Sequence, residues 1–131
     1  MSNTDIAGLE RLINLPYRPS AVRWETSARP GGNDWSLTAL LTFQPREAQA
    51  LLAAPSGDAG SLRVAAEHLA WFPAAVRDRH PAPADGGAVA MPEARPLGPL
   101  PFAAVSKSPL LHGAALVFPA EGLVYLVLYT M

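Results

Sequence analysis

Apolar residues alternate with polar or small ones in four stretches of the chain and recur at helical spacing in three others. The most apolar stretch is at the C-terminal end, where Gly113 to Met131 reads GAALVFPAEGLVYLVLYTM. Two runs rich in Val, Leu, Tyr and Phe flank Pro119-Ala120-Glu121-Gly122. Proline presets one turn dihedral and glycine accepts a positive one, so the segment predicts a β-hairpin with a four-residue loop. Setting Phe118 opposite Leu123 pairs Val117 with Val124, Leu116 with Tyr125, Ala115 with Leu126, Ala114 with Val127, Gly113 with Leu128 and His112 with Tyr129. The two-residue period of a strand then sorts the side chains. Val117, Val124, Ala115, Leu126 and Leu128 form an aliphatic face suited to carrying helices. Phe118, Leu123, Leu116, Tyr125, Val127, His112 and Tyr129 form a second face, apolar in body and polar at one end, expected to be partly covered. A lone hairpin is marginal in water, so more strands and a helical layer must complete the unit.

A second hairpin is predicted in the first half. Ala21 to Ser27 alternates, with Val22, Trp24 and Thr26 on one side and Arg23 and Glu25 on the other, as in a half-exposed strand. Ala28 to Asp34 is dense in turn formers. Trp35 to Phe43 returns with Leu37, Ala39, Leu41 and Phe43 on one face and Ser36, Thr38 and Thr42 on the other. Leu40 breaks that pattern.

Helical spacing appears over residues 4 to 14, where Thr4 or Asp5 can cap and Ile6, Leu9, Leu12 and Ile13 share a side, with Gly8 as a weak point. It recurs over 45 to 54, where Pro45 suits a first helical position and Ala48, Leu51 and Leu52 face inward. The third instance is 61 to 79, with a stripe of Leu62, Ala65, Ala66, Leu69 and Phe72, the charged Arg63, Glu67 and His68 off its centre, and Pro73 as a kink or restart. Between about 80 and 101 lie six of the fourteen prolines and no periodicity, which predicts a long Pro/Gly-rich surface loop. Phe102 to Val105 is a candidate short edge strand. The expected architecture is a single α+β domain over residues 1 to 131. It has a mostly antiparallel sheet of four or five strands, made from two hairpins and covered on its aliphatic face by two to three helices.

Composition narrows function by exclusion. A chain of 131 residues can bury a core without staples, and zero cysteines remove disulfides, cysteine-ligated zinc, iron–sulfur clusters and thiol catalysis. Ten basic and eleven acidic residues give a net charge of -1 with scattered arginines, so neither nucleic acid nor a membrane is an expected partner. The Ala, Pro and Arg bias fits a GC-rich bacterial genome. The N-terminal MSNTDIAGLERLINL lacks the basic and apolar regions of a secretory signal, making the cytoplasm the expected location.

The phosphate-loop, dinucleotide, zincin, EF-hand and nucleophile-elbow patterns do not occur. Glu67, His68, Asp78, His80 and His112 are the candidates for a metal site, but no two share pre-organised local spacing, and they read as solvated polar residues near helix ends. No metal and no cofactor is therefore expected. His112, Tyr125 and Tyr129 share one face of the predicted hairpin and could bind a polar ligand group. Pro92 to Pro101 could form a polyproline II ligand, but Arg95 is not at the spacing that sets the orientation of such a ligand, and a loop that avoids regular structure is the better reading. No catalytic residue stands out. The leading expectation is a non-catalytic interaction or assembly protein that self-associates, as a dimer, through its sheet. The alternative is a small-molecule binder or small enzyme with its pocket near His112, Tyr125 and Tyr129.

Overall fold

The structure is a computed structural model that describes residues 3–28, 35–53, 63–80, 87–91, 94–98, 102–103, 110 and 112–130. The expected turns at 29 to 34, 55 to 57 and 106 to 109, and much of the 80 to 101 loop, lie outside these residues.

Five antiparallel strands form one sheet: β1 (Ala21–Ala28), β2 (Trp35–Thr42), β3 (Arg95–Leu97), β4 (His112–Phe118) and β5 (Leu123–Tyr129), in the spatial order β1-β2-β5-β4-β3. Both predicted hairpins are present. The β4–β5 pairs run from Phe118 opposite Leu123 to His112 opposite Tyr129, the register expected from the turn. Gly122 makes that turn: its φ is +73° and its N–H donates to the Phe118 carbonyl at 2.9 Å. Its own carbonyl accepts from Phe43 N–H at 2.7 Å. A Cβ at this position would stand 2.3 Å from the Phe43 oxygen, so both dihedral and space require glycine.

The aliphatic face carries the larger core. Leu37, Ala39, Leu41, Val124, Leu126, Leu128, Ala115 and Val117 pack beneath Leu9 of α1 (Ile6–Glu10), the following Ile13, and Ala48 and Leu51 of α2 (Pro45–Leu51). Helix α1 begins where the Asp5 side chain accepts from Ala7 N–H at 3.1 Å, and it is shorter than the periodicity implied. Leu12 and Ile13 still reach the core from the turn beyond it, because Leu9 accepts both of their N–H groups. Helix α2 starts at Pro45 and its Glu47 carboxylate accepts from Gln44 N–H at 3.1 Å.

Three departures from the sequence reading concern the middle of the chain. Residues 61 to 79 do not form one α-helix on the aliphatic face. The described part is a 3₁₀ helix, Ala66–Trp71, then Phe72 and Pro73 in extended conformation, then the single-turn α3 (Ala74–Arg77). Pro73 has no N–H to continue a helix, and it starts the next one. Moreover, this segment lies on the second face. Leu69, Phe72 and Val76 pack with Val64 and Met91 on Leu40, Leu116, Phe118, Leu123 and Tyr125, making a second core. The helices are thus divided between the two faces, and Leu40 is a regular member of the second core.

The third departure is β3. Arg95, Pro96 and Leu97 pair with Val117, Leu116 and Ala115 within the span expected to be structureless. Proline is tolerated there because β3 is an edge strand, where a missing N–H can face outward. Val64 and Val89 exchange two backbone hydrogen bonds of 2.9 and 2.7 Å, anchoring the flank of the second core. Phe102, expected to begin an edge strand, sits in a turn and is buried in the first core; residues 104 and 105 of that expectation lie outside the described residues. Among the described residues no helix is long and apolar enough to cross a membrane.

Two substitutions check this arrangement by chemical denaturation. Gly122→Ala is expected to cost about 1–3 kcal/mol for the strained φ alone. Phe118→Ala is expected to cost about 3–5 kcal/mol, as for any fully enclosed phenylalanine; a loss below about 1 kcal/mol would mean that the second face is open to water.

Candidate functional site

The second face changes character along its strands. Where Leu123, Phe118, Tyr125, Leu116 and Leu40 meet, it is sealed by Phe72 and Leu69. One pair further along come Glu25, Thr38 and Val127, and then Ser27, Ser36, Tyr129 and His112. The 3₁₀ helix ends the apolar seal and puts a polar cluster at this boundary. Glu25, Thr26, Ser27, Ser36 and Thr38 from the β1–β2 hairpin, with Glu67 and His68 from the 3₁₀ helix, line a cleft of about 440 Å³.

His68 is the centre of the cluster. It is 6% exposed, the buried polar residue among the described ones. Its Nε2 lies 2.7 Å from Glu25 Oε1, and its Nδ1 lies 2.9 Å from the Tyr125 hydroxyl. A carboxylate can only accept, so Nε2 carries a proton. In the neutral ring Nδ1 is then an acceptor, and the Tyr125 O–H donates to it; the network assigns this tautomer. The side chain thus spans β2, reaching from β5 in the middle of the sheet to β1 at its edge. Trp71 packs on the ring with centroids 4.5 Å apart, and the Arg23 guanidinium lies 5.6 Å from the Trp71 ring centre.

Tyr125 is 1% exposed. Burial pushes its phenol from 10.0 up to about 12; hydrogen bonding from the Ala65 backbone opposes the shift, while the charges of Glu67 and Glu25 add to it. The hydroxyl therefore keeps its proton at neutral pH, as the donor role toward His68 requires. Enclosed as it is, Tyr125 holds the imidazole rather than touching anything in the cleft. Glu67, by contrast, is 77% exposed in its side chain and approaches Nε2 to 4.0 Å from the open side. The donor atoms of Glu25, Glu67 and His68 all lie within 4.8 Å of one another, a spacing compatible with a shared cation.

The residues singled out from the sequence are placed as follows. His112 and Tyr129 face each other as expected and stack, with centroids 6.0 Å apart, at the exposed end of the second face. Tyr125 lies in the sealed part and gives its hydroxyl to His68. Asp78 is exposed at the end of α3, and His80 follows it after another turn. His68 departs from the expected solvated role because its segment is a 3₁₀ helix docked on the sheet, so Glu67 and His68 both reach the cleft instead of pointing apart. Glu25 was legible as the polar side of β1 but carried no sign of a partner. The available signal was Leu40: an apolar residue on the side of β2 that faces with Arg23 and Glu25 requires a cover, and the Leu69/Phe72 stripe is the segment able to supply one.

No protein-family model matches the chain, and comparison with curated proteins and with solved structures finds no match.

The shifted phenol predicts a signature at alkaline pH. Below pH 10 native and unfolded chains both hold the Tyr125 proton and its contribution to stability is complete. Between pH 10 and about 12 the unfolded chain releases the proton and the native one does not, so stability falls as pH rises. Unfolding free energies across that window should drop by roughly 2–3 kcal/mol more in the natural protein than in Tyr125→Phe. Parallel curves would mean that the phenol is not shifted.

Proposed function

We propose that the protein binds a small, positively charged, hydrogen-bonding ligand in the cleft beneath Glu67. The observation that carries this reading is the buried His68, held rigidly between Tyr125 and Glu25 at the head of a polar cleft. Burying an imidazole and part of a carboxylate beside an apolar core costs stability unless every polar atom is matched, and here the matching uses groups from three separate elements. Such investment in a polar cluster is characteristic of sites that must present charge in fixed positions. Glu25 and Glu67 make the cleft acidic, which favours a cation. The hydroxyls of Ser27, Ser36 and Thr38 add donors and acceptors for a polar body.

A second reading, self-association, is supported by the exposed strip formed by Tyr129 and His112. Tyr129 is 41% exposed, the large apolar side chain left open among the described residues. A dimer built on this strip would continue the second face across a two-fold axis.

Thermal-shift measurement with a panel of organic amines, guanidines and neutral polyols tests the first reading. Amines or guanidines are expected to raise the melting temperature and neutral analogues are not. Thr38→Leu, which fills the floor between Glu25 and Val127, should abolish the shift and leave the fold intact. For the second reading, light scattering should report a dimer that dissociates on dilution and is lost in Tyr129→Ser; a monomer across a hundredfold range of concentration would exclude it.

A further inference from the structure

We infer that Glu25, Glu67 and His68 form a binding site for a divalent first-row transition ion, zinc foremost, with Tyr125 as the positioning residue behind the histidine. The inference rests on the cleft reading above and names the cation. His68 Nε2, on a ring that is more than nine-tenths buried, is aimed at the cleft and at two carboxylates: Glu25 at 2.7 Å and Glu67 at 4.0 Å. One imidazole and two carboxylates are a donor set suited to zinc, manganese or iron, and two negative charges balance a divalent ion. In a tetrahedral site, donors about 2.0–2.1 Å from the metal stand about 3.3 Å from one another. Glu25 must therefore withdraw slightly from Nε2 and Glu67 swing inward. Both motions are open to them, since Glu67 is largely in solvent and Glu25 is partly exposed.

The far side of the ring supplies a separate reason. A metal-bound histidine needs its second nitrogen tied to an oxygen that fixes the ring plane, and the Tyr125 hydroxyl stands 2.9 Å from Nδ1. On metal binding the ion takes the place of the proton on Nε2 and one proton is taken up at Nδ1, so the neutral ring changes tautomer with no net release. Nδ1–H then donates to Tyr125, whose hydroxyl can accept as readily as donate. Trp71 against the ring keeps water from that side. The fourth coordination position opens into the cleft, where water or a ligand oxygen would complete the sphere.

Calorimetric titration of the full chain with Zn²⁺, and with Co²⁺ for its visible absorption, tests the site. One ion per chain is expected, with a Co²⁺ spectrum typical of four-coordinate nitrogen and oxygen ligands. Glu67→Gln should leave the metal-free melting temperature unchanged and weaken binding at least about tenfold; Tyr125→Phe should weaken it by about 10–100-fold through loss of ring orientation. The absence of metal-induced heat and melting shift in the natural protein overturns the inference, as does an affinity unchanged in both variants. If metals fail while organic amines still bind and Thr38→Leu blocks them, this inference falls and the cleft reading stands. Metal binding without any amine binding supports the inference and removes the organic-ligand form of that reading.

Discussion

Strand β5 has a hydrogen-bonded neighbour on each side and an apolar layer on each face, and the remaining structure depends on that double burial. Leu126 and Leu128 point into one core while Leu123 and Tyr125 point into the other. A slip of one residue would exchange the two sets and drive the Tyr125 hydroxyl among aliphatic side chains. The register is held against this by a single turn, in which Gly122 adopts a conformation that other residues resist and locks onto the Phe43 backbone of the neighbouring β2 end. The turn also meets the segment just after α3 through an ion pair between Arg79 and Glu121 at 2.6 Å. Solvent-exposed as it partly is, that pair contributes orientation more than stability.

With β5 fixed, the polar cluster follows from geometry. The sheet order puts β2 between β5 and β1, so Tyr125 and Glu25 point to the same face but lie too far apart to meet. The imidazole of His68 bridges them from above. A buried histidine left with one nitrogen unsatisfied would destabilise the fold by about 1–3 kcal/mol. Both nitrogens are matched, and no buried side-chain nitrogen or oxygen among the described residues lacks a partner. The short Glu25 contact is of charge-assisted length, and the hairpin edge is thereby tied to the 3₁₀ helix. The acidic cleft begins where this bridge ends the apolar seal.

Features controlled by neighbours in sequence were legible from the chain. Alternation, helical spacing and turn chemistry are short-range, and they sufficed for both hairpins, for the β4–β5 register down to His112 opposite Tyr129, and for the existence of α1 and α2. The same reasoning failed over residues 61 to 79. Of the stripe that their helical spacing described, Leu69 and Phe72 pack on the sheet, but Pro73 and the extended Phe72 divide the segment. Which face of the sheet it covers is not encoded in its own pattern. Strand β3 was hidden for a related reason: Arg95-Pro96-Leu97 has no strand signature, and a proline belongs there only because the position is an edge.

Of the candidate site, Tyr125, Glu67 and His68 could each be named from the sequence, but their association could not. Glu25 and Tyr125 are a hundred positions apart, and their meeting at His68 requires the pairing of β2 with β5, a long-range contact between two hairpins that local propensity does not specify. The sequence by itself determined the periodic elements and the absence of thiol chemistry, because these depend on adjacent dihedrals and on composition. The tertiary structure alone decided the covered second face, the burial of His68 and the acidic cleft. The physical reason is that desolvation and hydrogen-bond matching are properties of what packs against a residue, not of what precedes or follows it.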